Sequence, residues 1–145
     1  MEKIRVKLLR QGAQLPTYGT EFSAGADLYA CLDEAVTISS GETKKIPTGL
    51  AVELPVGTAG LVFARSSLGT KRGLAPANKV GVIDSDYRGE VMVMLHNHGR
   101  LPQQIAPGER VAQLLVVPVF TPGFVAAEEL SDTLRGEGGF GSTGK

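Results

Sequence analysis

Apolar and polar residues alternate in short runs along this chain, and glycine or proline interrupts nearly every run. Ile4, Val6 and Leu8 alternate with Arg5 and Lys7, a period of two that predicts a half-buried strand. Similar or β-branched runs predict strands at Ala35–Ile38, Leu50–Leu54, Gly60–Ala64, Val80–Ile83, Glu90–Asn97 and Arg110–Val117. Turn signals separate them, among them Ser40-Gly41, Val56-Gly57, His98-Gly99, Ala106-Pro107-Gly108 and Thr121-Pro122-Gly123. No long stretch keeps a helical apolar period without an interrupting Gly or Pro, so long helices are not expected. One short helix is predicted around Ser66–Arg72. Many short strands at this spacing predict an all-β fold, a sandwich or barrel of jelly-roll type. The chain carries no internal repeat.

Composition narrows the functions. At 145 residues the chain has the size of one domain. Fifteen Lys and Arg balance fifteen Asp and Glu, so no net field draws in nucleic acid or an anionic membrane, and neither is an expected partner. A local basic pocket for one small anion stays compatible with that balance. The apolar runs, such as Val116–Phe120 with its Pro118, are too short for a membrane span. The N-terminal Met-Glu-Lys-Ile-Arg-Val lacks the apolar core of a signal peptide, which predicts a cytoplasmic setting. Cys31 is alone, and a small buried hydrophobe is its expected role. His96 and His98 have no third metal ligand near them in sequence and are expected to be solvated or interface residues. Lys44-Lys45 and Lys71-Arg72 read as solvated surface pairs.

Five segments carry more chemistry than a fold requires. Ala24-Gly25-Ala26-Asp27-Leu28 sets a carboxylate just after a glycine, although a strand-edge turn explains it equally well. Ala64-Arg65-Ser66-Ser67-Leu68-Gly69 offers an Arg, two hydroxyls and free helix N–H groups to an anion; an N-cap serine with a surface arginine is the alternative. Asn78 through Glu90 reads as a β-hairpin whose loop holds Asp84, Ser85, Asp86, Tyr87 and Arg88. Gly108-Glu109-Arg110-Val111-Ala112-Gln113-Leu114 runs from a turn into a strand, where Gln113 needs a hydrogen-bonding partner if buried. The last segment, Arg135-Gly-Glu-Gly-Gly-Phe140-Gly-Ser142-Thr143-Gly, has five glycines between residues 136 and 144. So much glycine cannot hold a fixed backbone unaided, which fits a frayed tail or a flap that orders around a phosphate.

In this order and register, the five segments resemble the five motifs of the trimeric dUTPase family, from about residue 16 to residue 144. The most specific are Gly-Val-Ile-Asp-Ser-Asp-Tyr-Arg-Gly and the glycine-rich close. The resemblance implies a distorted jelly roll of the β-clip type, with residues 1–134 as the β-domain and 135–145 as a flexible flap that completes the active site. It implies hydrolysis of dUTP to dUMP and pyrophosphate, keeping uracil out of DNA and supplying dUMP for dTMP synthesis. Asp84 would be the general base for water attacking the α-phosphorus. Gln113 would lie near the α-phosphate, and Arg65, Ser66 and the Ser67 backbone would hold the phosphates.

The same likeness implies magnesium as cofactor, bound chiefly by phosphate oxygens and water, with Asp27 acting through a water. Backbone groups around Val82, Ile83 and Met92, with the Asn78 amide, would match uracil and leave cytosine unpaired. Tyr87 would lie against the deoxyribose, Phe140 would stack on the base, and Arg135, Ser142 and Thr143 would reach the γ-phosphate. A homotrimer with shared active sites is implied as the assembly. Ala64, Ser67 and Leu134 depart from the usual family pattern, and none of them removes a group assigned to the chemistry. A dCTP deaminase of the same superfamily and a nucleotide-binding β-protein without turnover are the competing readings.

Overall fold

The computed structural model describes residues 3–140. Its strands are β1 (Arg5–Leu8), β2 (Thr17–Tyr18), β3 (Ala26–Tyr29), β4 (Val36–Ile38), β5 (Thr43–Pro47), β6 (Leu50–Glu53) and β7 (Thr58–Phe63). After a helical turn at Ser67–Arg72 come β8 (Leu74–Pro76), β9 (Gly81–Ile83), β10 (Met92–Asn97), β11 (Gln103–Ile105) and β12 (Arg110–Pro118). All pairings are antiparallel. The largest sheet runs β2-β3-β12-β7-β9; a second runs β5-β10-β8, and β1-β6 and β11-β4 form two-stranded ribbons. This is the predicted jelly roll of short strands.

The predicted strands all form, with ends displaced by one or two residues. Five further strands carry no period-two signal. β3 is buried on both faces at Ala26, Asp27 and Leu28, so its residues do not alternate. β5 carries Lys44 and Lys45 and ends at Pro47, and β2, β8 and β11 are two or three residues long. In β10 the alternation is clear: Val93, Leu95 and Asn97 point inward while Met92 and Met94 are exposed. The inward residues join Leu28, Ile38, Ile46, Leu50, Leu74, Ile105 and Val111 in one core. Each fully buried Leu or Ile contributes about 1.5–3 kcal/mol.

The structure corrects three local expectations. The predicted short helix is a π-helical turn, closed by the Gly73 N–H donating to the Leu68 carbonyl five residues back. Ser66 has helical dihedrals and makes no side-chain cap, which removes the N-cap alternative. Arg72 is no solvated surface group: it pairs with Glu109, and its Nε and Nη2 reach the Gln103 side chain at 3.0 Å and the Gln104 carbonyl at 2.5 Å. Lastly, the segment read as a hairpin has no ladder between its arms. β9 pairs with β7, whereas β10 pairs with β5 and β8.

After β12 the Val119 N–H donates to the Gly57 carbonyl at 2.9 Å. From there to residue 140 there is neither strand nor helix, and Phe120, Phe124, Val125 and Leu130 are each about nine-tenths exposed or more.

Asn97 ties this core together. It is fully buried, and its amide donates to the carbonyls of Ile38 (2.9 Å) and Leu101 (2.8 Å) while its oxygen accepts the Gly99 N–H (2.9 Å). Asn97→Ala leaves these groups unpaired, so a loss of about 2–3 kcal/mol is expected. Urea unfolding measures it; a loss below about 1 kcal/mol would show that water replaces the amide.

Candidate active site

The divergence of β9 and β10 opens a cavity of about 420 Å³ between them. Asn78, Val82, Ile83, Asp84, Tyr87 and Met92 line it, so six of the residues singled out in the sequence share one space. One edge of β9 is held by β7; the opposite edge has no strand partner among the described residues. Backbone N–H and C=O groups there are free for a ligand, and specificity by backbone contact needs such groups. Asp84 follows β9 directly and is exposed. Ser85 and Asp86 line a different recess, with Arg5, Glu53 and Arg88, so Asp84 alone of the Asp-Ser-Asp run faces the large cavity. A tight turn folds Tyr87 back, with its N–H donating to the Asp84 carbonyl at 3.1 Å and its hydroxyl to the Glu90 carbonyl at 3.0 Å.

A second cavity, about 350 Å³, is lined by Asp27, Arg65, Ser66, Arg110 and Gln113, together with Gly25 and its neighbours. Strand register assembles it. On β12, Gln113 stands opposite Asp27 of β3 on one side and Phe63 of β7 on the other. The chain leaves β7 just after Phe63, which brings Arg65 to the same row. Asp27 accepts from Arg65 Nε at 2.7 Å through one oxygen and from Arg110 Nη1 at 3.2 Å through the other. Its side chain is 13% exposed, so this carboxylate is a shielded counter-ion. Two guanidiniums against one carboxylate leave the pocket net positive, as an anion requires. Arg65 also donates to Ser67 Oγ at 3.3 Å, which ties the Ser67 side chain to the arginine.

Gln113 finds its partner in the Ala64 carbonyl, to which its Nε2 donates at 2.9 Å. Its carbonyl oxygen then points at Gly25, where a Cβ would lie 2.5 Å away. The glycine before Asp27 therefore makes room for the Gln113 carboxamide, rather than for a strand-edge turn.

Arg110 was not among the residues singled out. Its role depends on the β3–β12 register, which no local sequence pattern reveals.

Within one chain the two cavities share no lining residue. No described residue of the tail lines either cavity. Arg135 Nε donates to the Gly138 carbonyl at 3.1 Å, and Phe140 is fully exposed. Ser142 and Thr143 fall outside the described residues. Cys31 is buried, as expected of a small hydrophobe. The His96 and His98 rings meet edge to face at 4.3 Å, and His96 Nδ1 shares a hydrogen bond with Thr43 Oγ1 at 2.8 Å. Desolvation, then the charges of Lys79 and His96, hold His98 below the usual imidazole value. Among the described residues no three His, Cys, Asp or Glu side chains converge on a metal position, and no helix is long and apolar enough to cross a membrane.

Comparison with known proteins places this geometry. The dUTPase family model matches residues 11–144. A deoxyuridine 5'-triphosphate nucleotidohydrolase of Desulfitobacterium hafniense is 51% identical over 145 residues, covering 98% of this chain and 96% of the relative. The dUTPase of Staphylococcus bacteriophage 80alpha, solved with dUPNHPP, superposes with a TM-score of 0.92 at 30% identity, covering 100% of both chains. A mutant dUTPase of phage phi11 of S. aureus, whose structure concerns the coordination of a structural Mg(II) ion, matches with a TM-score of 0.82 at 27% identity, covering 90% of this chain and 100% of the other. With residues of four of the five motifs lining two cavities and the family model spanning nearly the whole sequence, this chain belongs to the dUTPase family.

Proposed function

We propose that the cavity between β9 and β10 receives the deoxyuridine of dUTP, and that the Arg65 pocket receives its phosphates. The chain hydrolyses dUTP to dUMP and pyrophosphate. The observation that carries the site assignment is Asp84: an exposed carboxylate at the end of an edge strand, facing the only one of these cavities lined by Val82, Ile83 and Met92.

Asp84 takes a proton from a water as that water's oxygen bonds to the α-phosphorus. The bond from that phosphorus to the bridging oxygen breaks, and pyrophosphate leaves with the electron pair. Positioning and charge neutralisation supply most of the acceleration. Arg65 is held by Asp27 for this purpose, so its guanidinium is oriented before substrate arrives. Ser66 and the Ser67 backbone sit beside it to donate hydrogen bonds to phosphate oxygens. Gln113, anchored on the Ala64 carbonyl, orients the attacking water near the α-phosphate.

Uracil has an N3–H donor between two carbonyl acceptors, and the free edge of β9 with the backbone at Met92 and the Asn78 amide complements that pattern. Cytosine would leave a buried group unpaired, a penalty of about 1–3 kcal/mol.

Magnesium fits a chain that offers it little. The ion would be held chiefly by phosphate oxygens and water, which suits a cation that sheds its hydration shell reluctantly. Asp27 would contribute through one of those waters while its oxygens hold Arg65 and Arg110. When bound, the ion neutralises developing charge on the phosphates.

The separation of the two cavities supports a homotrimer in which each active site draws on more than one chain. The exposed apolar residues Phe120, Phe124, Val125 and Leu130 support it too, because an unpartnered apolar segment of this kind marks an interaction surface. Residues 135–145 are then a flap, with Phe140 stacking on uracil and Arg135, Ser142 and Thr143 on the γ-phosphate. A lone cysteine, which forms no internal disulfide, supports a cytoplasmic location.

Asp84→Asn is expected to lower kcat by a factor of about 10²–10⁴ with dUTP affinity little changed. Pyrophosphate release and titration with a non-hydrolysable dUTP analogue read the two quantities; near-normal turnover would remove Asp84 from its role. Deletion of residues 135–145 is expected to leave a folded oligomer whose dUTP turnover falls by roughly tenfold or more. Size-exclusion chromatography and the same assay, with ammonia release from dCTP as a control, test this, and full activity would discard the flap.

A further inference from the structure

Gly89 stands beside the nucleotide cavity with no backbone reason to be glycine. Its φ lies outside the left-handed region, so an L-residue could adopt the same backbone. What a side chain would meet there is Tyr87. A Cβ on Gly89 would come within 2.5 Å of the Tyr87 Cζ and 2.9 Å of its Cε2, with the hydroxyl closer still. The phenol lies across Gly89 to donate to the Glu90 carbonyl at 3.0 Å. That landing point is itself fixed. The Glu90 side chain accepts the Gly49 N–H at 2.8 Å and pairs with Arg10, and the next residue, Val91, donates its N–H to the Leu50 carbonyl at 2.7 Å. Tyr87, by contrast, is 45% exposed, so its ring has room to leave.

We infer that Gly89 is a specificity-determining position that acts through Tyr87: the missing side chain lets the phenol lie flat on the backbone at the cavity wall, where it denies space to a ribose 2'-hydroxyl. The inference rests on the reading that Tyr87 faces the deoxyribose. A methyl group at position 89 cannot displace the anchored backbone at Glu90 and Val91, so it displaces the ring, which is the softer partner. The hydroxyl loses the Glu90 carbonyl, the phenol swings out, and the sugar wall opens. Gly89 touches no substrate and is a positioning residue.

The experiment compares kcat/KM for dUTP and UTP in four proteins: wild type, Gly89→Ala, Tyr87→Ala and the double variant. Gly89→Ala is expected to fold and to lose roughly tenfold or more of the dUTP-over-UTP preference. In the Tyr87→Ala background the same glycine change is expected to alter the preference by less than about twofold, because its target is gone. Wild-type preference in Gly89→Ala, with Tyr87→Ala impaired, overturns this inference alone. Wild-type preference in Tyr87→Ala removes the sugar role of Tyr87 and takes the inference down with it. An equal loss from Gly89→Ala in both backgrounds also overturns it, since position 89 would then act by another route. Should Gly89→Ala fail to fold, recovery of folding in the double variant supports the clash with Tyr87, and failure of both overturns it.

Discussion

Backbone hydrogen bonding decides where this molecule can hold a ligand. β9 and β10 follow each other closely in the chain, and the turn between them favours a hairpin, yet each strand finds its partners elsewhere. β9 completes the edge of the five-stranded sheet, and β10 is the middle strand of another. Pairing between them would have satisfied their facing N–H and C=O groups and filled the space. Because they part, a cavity remains with a strand edge on its wall and Asp84 at the end of that edge. The free edge is a liability in a protein of many strands, and here a substrate base can cover it.

The electrostatics of the second cavity follow the same economy. The chain as a whole is neutral, with fifteen charges of each sign, so nothing at long range singles out a phosphate. Selectivity is local. Asp27 is shielded between Arg65 and Arg110, where one carboxylate meets two guanidiniums. A shielded carboxylate without these partners would be costly, whereas with them it orients Arg65 and leaves positive charge to spare. Gly25 and Gly89 repay comparison here. Each is a place where a neighbouring cavity-lining side chain, Gln113 or Tyr87, occupies the volume a Cβ would take. In both, the glycine serves side-chain packing instead of a backbone bend.

Beyond β12 the chain carries Phe120, Phe124, Val125 and Leu130 into solvent with no core of its own to bury them. The last strand ends at Pro118, and no described residue beyond it joins a sheet. Two cavities that share no lining residue and an apolar extension that finds no seat among the described sheets are the two features on which the proposed shared-site assembly rests.

Much of this was legible in the amino-acid sequence, for identifiable reasons. Half-buried strands such as β1 and β10 announce themselves because one face is wet, and turn residues bracket them. The motif residues Asp84, Tyr87, Arg65 and Gln113 were recognisable because their residue types and spacing are specific. Strands buried on both faces, like β3, were not legible, since burial on both sides erases the alternation. Nor were relations set by register. That Arg110 shares Asp27 with Arg65, that Gln113 leans on Gly25, and that β9 and β10 part company depend on which strands pair and in what alignment. The sequence by itself determined the all-β class, the family and the chemical groups. Tertiary structure alone decided which groups meet, because strand pairing is a long-range hydrogen-bonding choice that no short window of sequence contains.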